Sequence, residues 1–286
     1  MARRDAIRIK DVPGTAQLLV DLKPRRCDSD VFINQPMDVT ELVKYVEKAK
    51  KAGKEITFFH VFMTAFGKLL YNRRKLNWFV QNRHFYDHKN VSIGFVAKVA
   101  FDDKAEEMMI IIPFDDKDTI ETVSKKIKDK VNGVRNGKKV EKKGGNSAVD
   151  ALCKLPNPIR IPIVGFLKWM DKKGCLPASI QEDLLYYSSA IVSNLGSIRC
   201  GAIYHNITNF GTASSLTTMG EIKSHEIIDE NGKKKIVKLC DFGMNIDERV
   251  ADGFYFAKSL QLLQYMFDHP ETLEEPMDKP VEMPQK

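Results

Sequence analysis

Residues 245–260, NIDERVADGFYFAKSL, place three carboxylates and a guanidinium, Asp247, Glu248, Arg249 and Asp252, where a strand gives way to an amphipathic helix. Such a group serves either acid–base chemistry or a firmly capped helix. Asp252 suits the second role directly, since an aspartate before a helix accepts from the first free amides. Ser193, in IVSNLG, reads on its own as a serine capping a glycine turn. Two histidines stand apart from these residues. His60 lies in an apolar helix and reads as packed and hydrogen-bonded, and His205, in GAIYHNITNFG, reads as a loop histidine able to approach a site near Ser193.

The remaining chemistry is bounded by composition. The 286 residues, 43% hydrophobic, suffice for one large core or two modest ones. Five cysteines at 27, 153, 175, 200 and 240 form no C-x-x-C pair and accompany no histidine cluster, so they read as reduced thiols and no metal site is expected. No apolar run approaches the ~20 residues of a membrane span, and the arginines near the start lead into no long apolar stretch; a cytoplasmic location is expected. The formal charge of +7 permits an anionic partner. Much of it sits in KKIKDKVNGVRNGKKVEKKGG, which lacks the interleaved aromatics of a nucleic-acid platform and reads as a solvated face.

The elements that must position these residues follow from periodicity. Residues 28–40 predict a strand running into a helix over DVTELVKYVEKAKKAG, with Thr40 as cap and Gly53 as stop. ITFFHVFMTAFGKLLYNRRKLN, apolar almost all round, predicts a helix buried in the core. Two strand-like runs and a basic helix with a capping box follow, an order that predicts helices packed on a mixed sheet. Residues 141–180 are broken by Gly-Gly and several prolines around a short apolar helix, IVGFLKWM. Lys168, Lys172 and Lys173 flank its apolar face as in a membrane-surface helix, but the expectation is a connecting pair of helices packed over the domain, with no membrane partner. Three further strands follow, the last two joined at DENGK, and the last helix is expected to bury a stripe of Phe254, Ala257, Leu260, Leu263 and Phe267. One domain over 28–286, behind an N-terminal segment 1–27, is the expected organisation.

In this order, DVTELVKYVEKAKKAG, ITFFHVFMTAFGKLL, VSIGFVAKV, IVSNLG, TTMG and DERVADG with its helix, the sequence resembles the catalytic domain of the dihydrolipoyl acyltransferases of 2-oxo acid dehydrogenase complexes, and the related chloramphenicol acetyltransferase. The resemblance implies an α/β (α+β) fold, a mixed β-sheet flanked by helices, and a homotrimer with active sites in channels between subunits. It further implies acyl transfer between coenzyme A and a second substrate, through a tetrahedral intermediate whose oxyanion a serine or threonine hydroxyl holds. Ser193 falls at that oxyanion position. Asp252 falls at the aspartate that shapes the active-site turn, Gly253 at the adjacent glycine, and Asp247 and Arg249 within the turn.

The family's base histidine falls at Glu248. An unperturbed glutamate, with a pKa of about 4.3, is a poor base for a thiol of about 8.5. Burial in an interface channel would raise it, and contact with Arg249 would lower it again. The oxyanion donor alone is worth about 10²-fold. Two expectations follow: an acyltransferase with Glu248 as base, or a degenerate site in which Glu248 pairs with Arg249, Arg25 or Arg26 and the fold serves as a non-catalytic ligand-binding or assembly subunit. Fewer than about thirty residues precede the domain, so a lipoyl module is not expected within the sequence. The acceptor is then a free small molecule or a lipoyl carrier supplied in trans, and coenzyme A or acyl-coenzyme A is implied by the resemblance alone.

Overall fold

The computed structural model describes residues 3–98, 107–135, 144–228 and 232–284. Part of the basic run after residue 135, and the DEN of the DENGK turn, lie outside the described residues.

Alternating burial along Asp30–Asp38 makes β2, which runs directly into α2, Thr40–Lys51. Leu42, Val46 and Ala49 are buried at helical spacing, as expected. Thr40 opens this helix and does not cap it. Its amide donates to Asp38 Oδ1 at 2.8 Å, and its hydroxyl accepts from the amide of Lys238 at 2.8 Å, tying the helix start to the neighbouring strand. The α3 helix, Phe58–Asn72, is buried at every position from His60 to Leu70, which its all-round apolar sequence requires. His60 packs in its first turn within a capping box with Thr57, and burial lowers its pKa to about 4.

Three short strands, β1 (Ala6–Ile9), β3 (Trp78–Gln81) and β4 (His84–His88), form a small antiparallel sheet in the order β1-β4-β3, and α1 covers Gly14–Leu22. The main sheet has six strands. To β2 it adds β5 (Val91–Lys98), β6 (Glu107–Phe114), β7 (Ala190–Asn194), β8 (Ser215–Ile228) and β9 (Lys234–Asp247), in the order β2-β9-β8-β7-β5-β6. The pairs β5–β7 and β7–β8 are parallel and the others antiparallel: the chain returns to β7 through α4 (Ile120–Arg135), α5 (Gly144–Cys153), α6 (Asn157–Lys173) and α7 (Ala178–Gln181), and reaches β8 through the crossover of residues 195–214.

The two faces of this sheet differ. Val192, Met219, Phe242 and Met244 point into the large core around α3, where Phe62 stacks on Phe242 with centroids 5.0 Å apart. Alternation sends Ser193, Thr218, Gly243 and Asn245 to the opposite face. The last helix, α8 (Gly253–Asp268), buries Phe256, Ser259, Leu262, Leu263, Met266 and Phe267. Only Leu263 and Phe267 of the expected stripe are buried. The helix begins at the turn itself, so Phe254 sits in its first turn facing outward, and the buried face is rotated from the expected one.

The apolar segment expected to pack over the domain does not do so. It is one helix, α6, longer than expected, and Asp171 is its only buried residue. Tyr187 Oη donates to Asp171 Oδ1 at 2.6 Å and the Gly211 amide to Oδ2 at 3.1 Å; burial raises this carboxyl's pKa against those bonds. No helix among the described residues is long and apolar enough to cross a membrane.

Candidate active site

The turn after β9 is organised by Asp247, not by Glu248. The Asp247 carboxylate is fully buried and receives Arg249 at both oxygens, Nε to Oδ1 at 2.8 Å and Nη2 to Oδ2 at 2.6 Å. Ser29 Oγ donates to Oδ1 at 2.9 Å, and Arg26 Nε lies 3.8 Å from Oδ2. Arg26 is buried as well, donating to the carbonyls of Thr208 at 2.8 Å and Gly211 at 3.1 Å. Two guanidinium groups on one buried carboxylate lock the end of β9 to the segment before β2.

Glu248 projects from this locked frame, half-buried. Its amide donates to the Ser29 carbonyl at 3.0 Å and its carboxylate is ion-paired with Lys23. The partners expected from the sequence are taken elsewhere: Arg249 and Arg26 by Asp247, and Arg25 by Asp28 at 2.9 and 2.7 Å. Asp252 caps α8, accepting from the Tyr255 amide at 2.8 Å, and Gly253 is the first residue of that helix.

Ser193 is half-buried near the end of β7. It pairs in register with Thr218, which pairs with Gly243, five residues before Glu248. Two strand spacings sideways and five residues along β9 separate Ser193 from Glu248 by roughly 19 Å between Cα atoms within one chain. Side chains do not bridge that span, so a single chain does not bring the two residues together.

Between them runs the loop carrying His205, laid on the open face of the sheet. Glycine makes this contact possible: a Cβ on Gly243 would stand 2.5 Å from the Ile203 oxygen, and one on Gly220 2.7 Å from the Ala202 nitrogen. The Ile203 amide donates to Thr218 Oγ1 at 3.1 Å and the His205 amide to Asn245 Oδ1 at 3.0 Å, while the exposed His205 lies on the same face as Ser193.

Lys23, Ser29, Asp30 and Asn245 surround the turn without having been expected there, and Arg26, expected as a partner of Glu248, joins them on Asp247 instead. Three polar atoms of this cluster, Arg26 Nε, Asp30 Oδ1 and Asn245 Nδ2, are buried without a hydrogen-bond partner among the described residues. Asp30 Oδ2 accepts from the Ile207 amide at 3.1 Å, and its pKa is raised, chiefly by burial. Only the charge density of KPRRCDSD hinted at this cluster. Beside it opens a cleft of about 560 Å³ whose lining includes Arg25, Arg26, Arg83, Lys168, Lys172 and Arg249, with Asp171 the one carboxylate. Such a wall attracts anions. Among the described residues no group of histidine, cysteine and acidic side chains has the geometry to hold a metal ion.

Sheet order, helix placement and the capped turn after the last strand define the class: a mixed sheet flanked by helices, with the fold of the dihydrolipoamide acetyltransferase cores and of chloramphenicol acetyltransferase. Among solved structures, the chain is similar to the probable dihydrolipoamide acetyltransferase of Listeria monocytogenes, with a TM-score of 0.60 and 16% identity over 92% of this chain and 95% of that one. It is similar to the dihydrolipoamide acetyltransferase of Azotobacter vinelandii, with a TM-score of 0.58 and 16% identity over 93% of each chain. It is also similar to chloramphenicol acetyltransferase, with a TM-score of 0.53 and 11% identity over 92% of this chain and 99% of that one. The resemblance read from the sequence therefore holds for the fold. No protein-family model and no curated protein matches the chain.

Proposed function

We propose that the protein transfers an acyl group between coenzyme A and a small-molecule acceptor, as a homotrimer with each site shared by two chains. The observation that carries this reading is the separation of Ser193 from a rigidly framed Glu248 within one chain, since a shared site requires each chain to contribute one half. In the Azotobacter enzyme a serine, a histidine and an asparagine have been examined for roles in the catalytic mechanism, the last two four residues apart. Glu248 and Asp252 stand at the same spacing, with Ser193 upstream. The exposed Phe32 and Tyr204, edge to face at 5.7 Å on the open side of the sheet, offer apolar surface for a subunit contact.

In this mechanism Glu248 takes the proton from the acceptor's thiol or hydroxyl as its sulfur or oxygen bonds to the acyl carbon. Ser193 Oγ donates a hydrogen bond to the carbonyl oxygen as it becomes anionic. Collapse of the intermediate breaks the carbon–sulfur bond to coenzyme A, whose thiolate regains the proton from Glu248. Deprotonation by a carboxylate requires a site from which water is excluded, which closure by a neighbouring subunit would provide. Asp252 and Gly253 hold the turn, Asp247 and Arg249 brace it, and His205 lines the approach. One acyltransferase-like domain over 28–286, cytoplasmic, with segment 1–27 supplying β1 and Lys23, acts on a free acceptor or a lipoyl carrier in trans.

The test is release of free thiol from acetyl-coenzyme A with thiol, alcohol and amine acceptors, followed against pH. Glu248→Gln and Ser193→Ala should each lower turnover at least about 10²-fold; unchanged turnover in both rejects the assignment. The Glu248–Lys23 ion pair favours a second reading, a non-catalytic binding or assembly subunit. In that case the wild type is inactive and Glu248→His gains turnover.

A further inference from the structure

The α6 helix is amphipathic in the reverse sense. Its buried side is anchored by a carboxylate, Asp171, while Ile159, Ile161, Phe166 and Trp169 are 52%, 65%, 58% and 53% exposed. Phe166 and Trp169 stack on each other, centroids 5.8 Å apart, leaving a large apolar surface uncovered. Pro158 and Pro162 are exposed on the same helix. The cations follow a pattern too. Lys168, Lys172 and Lys173 are exposed along its C-terminal half, and neither Lys168 nor Lys172 has an ion-pair partner among the described residues. Both lysines also line the cleft that holds Arg25 and Arg83, so the apolar face is continuous with a cationic wall.

We propose that α6 docks the protein on an anionic phospholipid surface, its aromatic and isoleucine side chains entering the acyl boundary and the adjoining lysines and arginines meeting lipid phosphates. Ile159, Phe166 and Trp169, spaced i, i+7 and i+10, share one arc with lysines beside it, an arrangement that suits a bilayer interface, where the tails accept the first and the phosphates the second. A second copy of the chain fits less well, because face-to-face contact would bring two sets of lysines together. That no helix among the described residues is long and apolar enough to cross a membrane is compatible with this, since an interfacial helix lies in the plane of the surface. The proposal departs from the expectation of no membrane partner, on the ground that the apolar face of α6 points outward. The inference stands apart from acyl transfer and survives if that reading fails.

The experiment is flotation of the full chain with vesicles of phosphatidylcholine alone or with phosphatidylglycerol, with Trp169 emission as a second readout and Trp169→Phe as its control against Trp78. Expected are binding to the anionic vesicles, a blue shift lost in Trp169→Phe, and weakening by salt. Phe166→Glu with Trp169→Glu should reduce vesicle binding at least tenfold, and Lys168→Glu with Lys172→Glu more than about twentyfold, with circular dichroism unchanged in both. Inorganic phosphate at millimolar concentration should leave flotation intact; if it abolishes binding while the apolar variant still floats, the cleft is a free-phosphate site and the proposal falls. It also falls if the wild type does not float with anionic vesicles, or if sedimentation shows that Phe166→Glu instead abolishes self-association.

Discussion

Arg249 spends two guanidinium nitrogens on Asp247, at 2.8 and 2.6 Å, and none on its neighbour Glu248. The division separates a structural carboxylate from an available one. Asp247 is sealed beneath two arginines, whereas Glu248 is held by one partly exposed lysine.

That division has an energetic signature. Asp247→Asn leaves Arg249 and Arg26 buried without a counter-charge and should cost about 3–5 kcal/mol. Glu248→Gln breaks a half-exposed pair and should cost no more than about 1 kcal/mol. Urea unfolding of the two variants measures both; equal losses would place the structural charge on Glu248 after all.

Complementation tests the shared site. Glu248→Gln and Ser193→Ala chains, each inactive alone, should recover about a quarter of wild-type turnover when unfolded together and reassembled at equal concentrations, because random assortment pairs an intact half with an intact half at that frequency. Recovery of nothing, with mixed trimers demonstrated, would put both residues to work within one chain or neither to work at all.

Gly243→Ala should detach the His205 loop from the sheet. The added methyl meets the Ile203 oxygen at 2.5 Å, and relief requires the loop to shift at a cost of about 1–3 kcal/mol. Amide exchange at Ile203 and His205, whose bonds to Thr218 and Asn245 would lengthen, should accelerate while exchange in α3 changes little. Unaltered exchange at both amides would show that the close approach is not what holds the loop.

Acid should unfold the protein partly through His88. This side chain is buried, with Nε2 2.9 Å from Thr212 Oγ1 and Nδ1 3.2 Å from the Asn77 carbonyl oxygen, and burial lowers its pKa to about 3. Below the unfolded value near 6.5, only the unfolded chain takes up this proton. The contribution is fully present above pH 6.5 and is lost as pH falls towards 3, to roughly 5 kcal/mol at the low end. His88→Gln should therefore flatten the stability curve between pH 6.5 and 3; a slope equal to the wild type's would assign acid lability to carboxylates alone.

What the sequence discloses divides by the range of the contacts involved. The α3 helix is readable because every side of it is apolar, and β7 to α8 because strand alternation, turn residues and the aspartate cap are all local. The buried face of α8 is misjudged because Phe254 counts as apolar by type, although its place in the first turn points it to solvent. The α6 helix misleads for the opposite reason: hydrophobic residues predict burial only where something covers them. The partner of Glu248 is hidden altogether, since Lys23 lies more than two hundred positions away and nearer cations are consumed by Asp247, a competition that appears only in three dimensions.

The span of roughly 19 Å between Ser193 and Glu248 bears on how the protein would have to be handled. If these residues are two halves of one catalyst, folding and competence are different events with different concentration dependence. Diluted below the affinity of its own copies, the chain would keep its helices, its sheet and its sealed aspartate, and an assay would find a well-ordered solution with nothing to titrate.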